Sequence, residues 1–253
     1  MKFGSLFSGI GGIDLGLERA GMECVWQVER DEFCLKVLCQ HWPDIPKWND
    51  VRTFPPKGDW SVDLIAGGFP CQDISQSNPN GEGLKGKRSG LWHEYYRIIC
   101  VLRPRYILIE NVSAITFRGL DTILCQLAAA RYDAEWQIIP VNAFGGPHQR
   151  ERLFLVAYTT SERGKADAIF QGFPYQTSES KHQARQRWWP GRLESGGALP
   201  NRVRWCPDSK LCRVADGVPD ELDRYRGLGN AVVPQIAQWI GEQIMRFEGN
   251  SNA

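Results

Sequence analysis

Three places in this chain hold residue types that could do chemistry together. The first is Cys71, in Gly67-Gly68-Phe69-Pro70-Cys71-Gln72, directly after the apolar run Val62-Asp63-Leu64-Ile65-Ala66. That run reads as a short buried strand ended by glycines, and open α/β sheets place their chemistry just past the carboxyl ends of strands. Pro70 fixes one backbone angle and biases Phe69 towards an extended shape, which would constrain the direction of the thiol. An isolated cysteine in such a place is more commonly a buried structural thiol, and Cys71 stands out because of its company. The second is Glu110, which with Asn111 and Val112 ends another buried run, Tyr106-Ile107-Leu108-Ile109. It could be a cap or a solvated residue, but it puts a carboxylate at the edge of a strand expected beside the Cys71 strand. The third is Gln149-Arg150-Glu151-Arg152, where Arg150 and Arg152 alternate at a strand entry and share a face. That suits holding a polar substrate edge or a phosphate.

A ligand loop stands near the amino terminus. Residues 2–7 read as a first strand, followed by Ser8-Gly9-Ile10-Gly11-Gly12-Ile13-Asp14 and a helical pattern with Ile13, Leu17 and Ala20 on one face. Glycines let a ligand approach the backbone closely. Their spacing is G-x-G-G, not G-x-G-x-x-G, so a dinucleotide is not the natural guess. A second strand, 24–28, ends in Glu29, and an acidic residue roughly 20 positions past such a loop can accept both hydroxyls of a ribose. Separately these are a tight turn and a surface glutamate; together they favour a nucleoside-bearing cofactor. Asp50 could meet the exocyclic amine of its base.

The remaining elements must position these groups. Residues 31–42 look helical and hold Cys34, Cys39 and His41. Three soft ligands invite a metal, yet no second ligand pair is near, and Cys34 and Leu38 have core spacing, so no metal site is expected. Residues 73–90 have no apolar periodicity and read as a lid or binding loop, with Lys85, Lys87 and Arg88 to close on phosphates. A helix follows over 91–102, with Ile98 and Leu102 inward. Strands are expected at 136–141 and 153–157. A last helix over 235–245 would dock on the sheet through Ile236, Ile240 and Ile244.

Length and charge bound the class. The 253 residues, 42% hydrophobic and 23% charged, suit one large domain or a domain plus a smaller lobe. The net charge of +1 hides residues 160–215, where ten Lys/Arg against five Asp/Glu leave a net of +5. Trp188, Trp189 and Trp205 interleave with those arginines, which suits an irregular lobe contacting nucleic acid. No apolar run approaches the roughly 20 residues of a membrane span, and the start lacks the apolar core of a signal peptide. Eight cysteines without an export signal suggest reduced thiols and a cytoplasmic protein.

Taken in order, Phe7-Ser8-Gly9-Ile10-Gly11-Gly12, Glu29, Pro70-Cys71-Gln72, Glu110-Asn111-Val112, Gln149-Arg150-Glu151-Arg152 and Gly229-Asn230-Ala231-Val232-Val233-Pro234 resemble the cytosine-C5-specific DNA methyltransferase family, bacterial or prophage type. The resemblance spans residues 3 to about 245, with 159–225 outside it. It implies an α/β fold: a doubly wound, Rossmann-like sheet of the methyltransferase kind plus a small, irregular target-recognition lobe. Residues 1–158 would form the catalytic and cofactor-binding domain, 159–225 the lobe, and 226–253 a helix returning to the first domain. The implied cofactor is S-adenosyl-L-methionine. It would be held by Phe7, Gly9, Ile10, Gly11, Gly12, Glu29, Asp50, Val51, Pro70, Leu91, Asn230 and Val232.

The implied reaction methylates C5 of a flipped cytosine in a short double-stranded DNA site. Cytosine C5 is a poor nucleophile, so a thiolate must first add to C6, and Cys71 would supply it. Glu110, protonated, would donate to N3, and Arg152 would hold O2 and help orient Glu110, with Arg150 as support. The base must leave the stack first, and the 73–90 loop is the expected lid over it. A monomer is expected, with a cognate restriction endonuclease as a genetic partner. The segment 212–219 lacks the family's usual Arg-x-Leu…Glu element. Two other functions stay open: the same chemistry on tRNA, and a non-catalytic nucleic-acid-binding module.

Overall fold

A computed structural model describes residues 1–70, 91–144, 150–160, 169–170 and 232–249. Cys71, the 73–90 loop, Asn230 and nearly all of 159–225 lie outside the described residues. One sheet dominates the described part. Its strands are β1 (Lys2–Leu6), β2 (Glu23–Val28), β3 (Lys47–Trp48), β4 (Leu64–Gly67), β5 (Tyr106–Val112), β6 (Tyr132–Pro140) and β7 (Glu151–Thr159), in the order β3-β2-β1-β4-β5-β7-β6. The strands from β3 to β5 are parallel, and β7 lies antiparallel between β5 and β6.

The helices are α1 (Gly12–Arg19), α2 (Glu32–His41), α3 (Leu91–Leu102), α4 (Ile115–Arg118), α5 (Leu120–Ala129) and α6 (Pro234–Gly249). They cover both faces of the sheet, which is why β4 and β5 are continuous apolar runs rather than alternating ones. On one face Leu64, Ala66, Tyr106, Leu108, Phe154 and Val156 pack with Ile13 and Leu17 of α1 and Ile236, Ile240 and Ile244 of α6. On the other, Ile65, Ile107, Ile109 and Leu155 pack with Tyr95 and Ile99 of α3 and Ile123 and Leu127 of α5. The period of two along each strand divides these sets. Each buried isoleucine of α6 contributes roughly 1.5–3 kcal/mol, enough to hold the helix against the sheet. The fully buried Tyr95 hydroxyl lies 3.2 Å from Ile65 O and 3.0 Å from Leu108 O, tying α3 to β4 and β5.

The doubly wound sheet expected from the sequence is present. Three features exceed that expectation: β5 runs on through Val112, α4 and α5 fill 115–129, and the two-residue β3 adds an outer strand. Cys34 and Leu38 of α2 are buried and Cys39 is exposed, the pattern of a core-facing helix. Ile169 is buried in the main core and the Phe170 ring lies 6.3 Å from that of Trp239, so this part of 159–225 packs on α6. No helix among the described residues is long and apolar enough to cross a membrane.

The topology decides where ligands can sit. From β1 the chain winds outward to β3, then returns to β4 beside β1 and winds the other way. The crevice at such a reversal, past the carboxyl ends of the strands, is where open sheets bind ligands. The ends of β1, β2, β4 and β5 all meet this edge, and so does the beginning of the antiparallel β7.

Candidate active site

The segment that leads into Cys71 is held from two sides. Gly68 lies so close to β5 that a Cβ there would sit 2.5 Å from Glu110 Oε2 and 3.2 Å from Glu110 O. A larger side chain at 68 would therefore press on the Glu110 carboxyl group and crowd its backbone oxygen. One residue on, the buried Asn111 donates from Nδ2 to Phe69 O at 3.2 Å. The Phe69 ring is buried, with its centroid 5.7 Å from that of Trp92 on α3. Pro70 follows, half-buried, and Cys71 is the next residue.

Glu110 sits at the end of β5 with only 8% of its surface exposed. Register supplies its partner: Glu110 is opposite Phe154 and Val112 opposite Arg152, so Arg152 is the diagonal neighbour on the same face. Arg152 Nε lies 3.0 Å from Glu110 Oε1, close enough for an ion pair but not aligned for a full hydrogen bond. Arg152 also donates from Nη1 to Glu151 O at 2.9 Å. Burial raises the Glu110 carboxyl above the ordinary glutamate value of 4.5, against the pull of Arg152 and then Arg150. Desolvation dominates, so this carboxyl keeps its proton to higher pH than an ordinary glutamate. Arg150 stands just before β7, where its carbonyl accepts from Val141 N at 2.9 Å.

The loop after β1 turns through left-handed backbone at Phe7 (φ 55°), Gly9 (φ 56°) and Gly11 (φ 84°), which caps α1. Ile10 is half-buried beside it. Glu29 fastens this loop to the end of β2. Its Oε2 accepts from Gly9 N, and its Oε1 from Arg30 N and Asp31 N, all at 2.7 Å. With one N–H partner, Oε2 keeps a lone pair for a further donor such as a ribose hydroxyl. The segment that enters α6 packs against this loop, because a Cβ on Gly12 would lie 2.3 Å from Val232 O.

Beyond Glu29 an open cleft of about 600 Å³ is lined by Arg30, Glu32, Leu35, Asn49, Asp50 and Thr53. Both oxygens of Asp50 are engaged by Arg52, whose Nη2 lies 2.5 Å from Oδ2 and whose Nε lies 3.0 Å from Oδ1. The guanidinium holds the Asp50 carboxyl down at about 2. Val51 is buried beneath it, and Leu91 is half-buried at the start of α3.

The structure thus brings Pro70, Glu110, Arg150 and Arg152 to one part of the edge, and Phe7, Gly9, Ile10, Gly11, Gly12, Glu29 and Val232 to another. Asp50 and Val51 flank the second. Several contributing residues escape a reading of the sequence. Gly68 looks like a strand terminator and Arg52 like a surface arginine. Asp14, in the first turn of α1, looks like a solvated partner of the helix dipole, yet it is fully buried. Its signal was available only as a polar residue among the inward-facing positions of an amphipathic helix.

Comparisons with known proteins agree with this geometry. Residues 1–198 match the family model for C-5 cytosine-specific DNA methylases. The type II methyltransferase M2.BsuMI of Bacillus subtilis is 29% identical over 99% of this chain and 77% of its own length. M.DsaV of Dactylococcopsis salina is 32% identical over 69% of this chain, which spans about half (49%) of that relative. Among solved structures, an E. coli prophage protein described as a DNA modification methyltransferase superposes with a TM-score of 0.54 at 28% identity, covering 64% of this chain and 47% of its own. Spodoptera frugiperda DNMT2, at 23% identity and a TM-score of 0.54, shares the fold over 62% of this chain and 50% of its own. The chain belongs to the C-5 cytosine-specific DNA methylase family.

Proposed function

We propose that this protein transfers a methyl group from S-adenosylmethionine to C5 of a cytosine flipped out of a short duplex DNA site, through a covalent bond from Cys71 to C6. The observation that carries the reading is the convergence at one sheet edge of the Gly68–Pro70 backbone, Glu110 and Arg152. A thiolate adding to C6 puts negative charge on the ring, and a carboxyl kept neutral by burial offsets it by donating a proton at N3. Arg152 limits how far Glu110 swings and presents its remaining N–H groups to the base's O2. Once C5 carries its methyl group, N3 returns its proton to the Glu110 carboxylate, a general base takes the C5 proton, and Sγ departs as thiolate, which restores the aromatic ring.

The residues at the other part of the edge fit a nucleoside sulfonium. The left-handed loop exposes backbone to the crevice, Glu29 Oε2 keeps an acceptor position, and the cleft beside Asp50 is open. Phe7 would stack on the adenine, Glu29 would take the ribose, Asp50 the adenine amine, and Gly9, Gly11 and Gly12 would admit the methionine moiety. S-adenosylmethionine supplies, when bound, a sulfonium methyl group electrophilic enough for C5. The relatives are named as type II methyltransferases, and a restriction endonuclease reading the same site is the proposed genetic partner here.

The test is transfer of labelled methyl to unmethylated duplex DNA and, in parallel, to total tRNA, with Cys71→Ala beside the wild type. Label in DNA at a short recurring motif, lost in Cys71→Ala with cofactor binding retained, is the expected result. Label confined to tRNA would reassign the substrate. Substantial turnover by Cys71→Ala would remove Cys71 as nucleophile.

A further inference from the structure

A chain of hydrogen bonds beneath the loop after β1 has no part in the reaction described above. Asp14, in the first turn of α1, is fully buried. Its Oδ2 accepts from Ser5 Oγ at 3.0 Å and its Oδ1 from Gln27 Nε2 at 2.8 Å, with the Cys24 thiol 3.9 Å away. Ser5 has one proton and gives it to Asp14, so its oxygen accepts from Ser8 Oγ at 2.8 Å. The bonds therefore run Ser8 to Ser5 to Asp14, where Gln27 also donates, and they join β1, the loop, α1 and β2.

A buried carboxyl is costly, and an apolar side chain of similar size would serve packing better. What this one holds is specific. Ser8 stands between Phe7 and Gly9, both in left-handed backbone, and its carbonyl accepts from Gly11 N at 2.9 Å. A phenylalanine adopts that conformation only where its surroundings impose it. Ser8 links the buried chain to the segment that Glu29 fastens from outside, and its own N–H donates to Val28 O at 3.2 Å.

We propose that Asp14 is a positioning residue for the cofactor: acting through Ser5 and Ser8, it keeps the Phe7–Gly11 turn in the shape that receives S-adenosylmethionine. This rests on the reading of that turn as the cofactor site. Asp14 touches no reacting atom, and its effect falls on cofactor affinity rather than on methyl transfer. Asparagine can replace it. Its Oδ1 accepts from Gln27, and its amide donates to Ser5. Ser5 then donates to Ser8, whose hydroxyl turns to Ser5 O, 3.3 Å away.

The experiment measures S-adenosylmethionine binding by calorimetry, KM and kcat, and thermal stability, for the wild type, Asp14→Ala, Asp14→Asn, Ser8→Ala and Glu29→Ala. Loss of a buried hydrogen bond predicts about a tenfold rise in Kd and in KM for the cofactor in Asp14→Ala, with kcat at saturation within about twofold. Asp14→Asn should recover most of the affinity. Ser8→Ala leaves Ser5, Asp14 and Gln27 bonded to one another and should weaken binding while the melting temperature holds, so it decides the matter if Asp14→Ala does not fold. Wild-type affinity in Ser8→Ala and Asp14→Ala, with weak binding in Glu29→Ala, would overturn the proposal and leave the cofactor site in place. A lowered melting temperature with KM unchanged would also overturn it, reducing Asp14 to fold stability. A wild-type protein that binds no S-adenosylmethionine would remove the cofactor reading itself.

Discussion

Gly68 and Glu110 touch: a methyl group on Gly68 would lie 2.5 Å from the Glu110 Oε2 oxygen. The segment after β4 that leads towards Cys71 and the end of β5 that carries Glu110 are therefore positioned directly against each other. The missing side chain at 68 sets the distance between them.

Substituting Gly68 by alanine should consequently cost catalysis before it costs the fold. Gly68 has no left-handed backbone to lose, so the strain falls on the Glu110 side chain. A displacement of about 1 Å at reacting groups can cost on the order of a hundredfold in kcat. Steady-state kinetics should show that loss with cofactor KM nearly unchanged, because the loop after β1 is untouched. A kcat close to wild type would mean that Glu110 has a second, equally productive position.

Asn111 pins the other side of the same segment through its bond to Phe69 O. Asn111→Ala should free the Phe69-Pro70 backbone and loosen the aim of the thiol. A buried carbonyl left without its donor costs about 1–3 kcal/mol of stability, and kcat should fall about tenfold or more. Denaturant unfolding together with single-turnover methylation checks both. A stability loss with an unchanged single-turnover rate would confine Asn111 to holding the sheet edge.

Much of this arrangement is legible in the sequence, and the part that is not has a physical cause. The runs Leu64-Ile65-Ala66 and Tyr106-Ile107-Leu108-Ile109 are buried on both faces and announce themselves as central strands. Glu110 stands at the end of the second run, so its place at the edge follows. Arg152 is different. It meets Glu110 because β7 is antiparallel and brings its first residues to that edge. Strand direction leaves no mark in residue order when the connecting segments are long. The contact of Gly68 with Glu110 depends on register, and a polar residue in a helix shows its burial only through its place among inward-facing positions, not through its own chemistry. Asp14 is the clearest example.

The Asp50–Arg52 pair can be tested apart from catalysis. Arg52 is half-exposed, so the pair contributes little to stability. Its effect is on the carboxyl itself, held at about 2 by the guanidinium. In Arg52→Ala the Asp50 titration followed by NMR should rise towards the ordinary 3.8, while the melting temperature stays nearly constant. Because the folded value is depressed, any stabilisation from Asp50 is present above the unfolded value and is lost as pH falls through the folded one. An unmoved titration in the variant would show that some other cation near the cleft, with Arg30 the first to examine, holds the charge.

Glu110 carries the strongest pH prediction. Burial raises its carboxyl above 4.5, and the two arginines pull back without prevailing. A group whose folded value is raised contributes stability that is full below the unfolded value and disappears as pH rises through the folded one. Glutamine stays neutral throughout, so the stability of Glu110→Gln relative to wild type should be near even at pH about 4, should grow as pH rises from the unfolded value through the folded one, and should level off above it. Denaturant midpoints at several pH values measure this difference. If Glu110 is the proposed proton donor to N3, the same substitution should lower kcat by about 10²–10⁴ with little change in DNA or cofactor affinity. The two results belong together: the burial that raises the carboxyl would both cost the fold stability as pH rises and suit Glu110 to the proposed acid role. If the stability difference is flat across the pH range and kcat is retained, then Glu110 is an ionised partner of Arg152, and N3 receives its proton from another group.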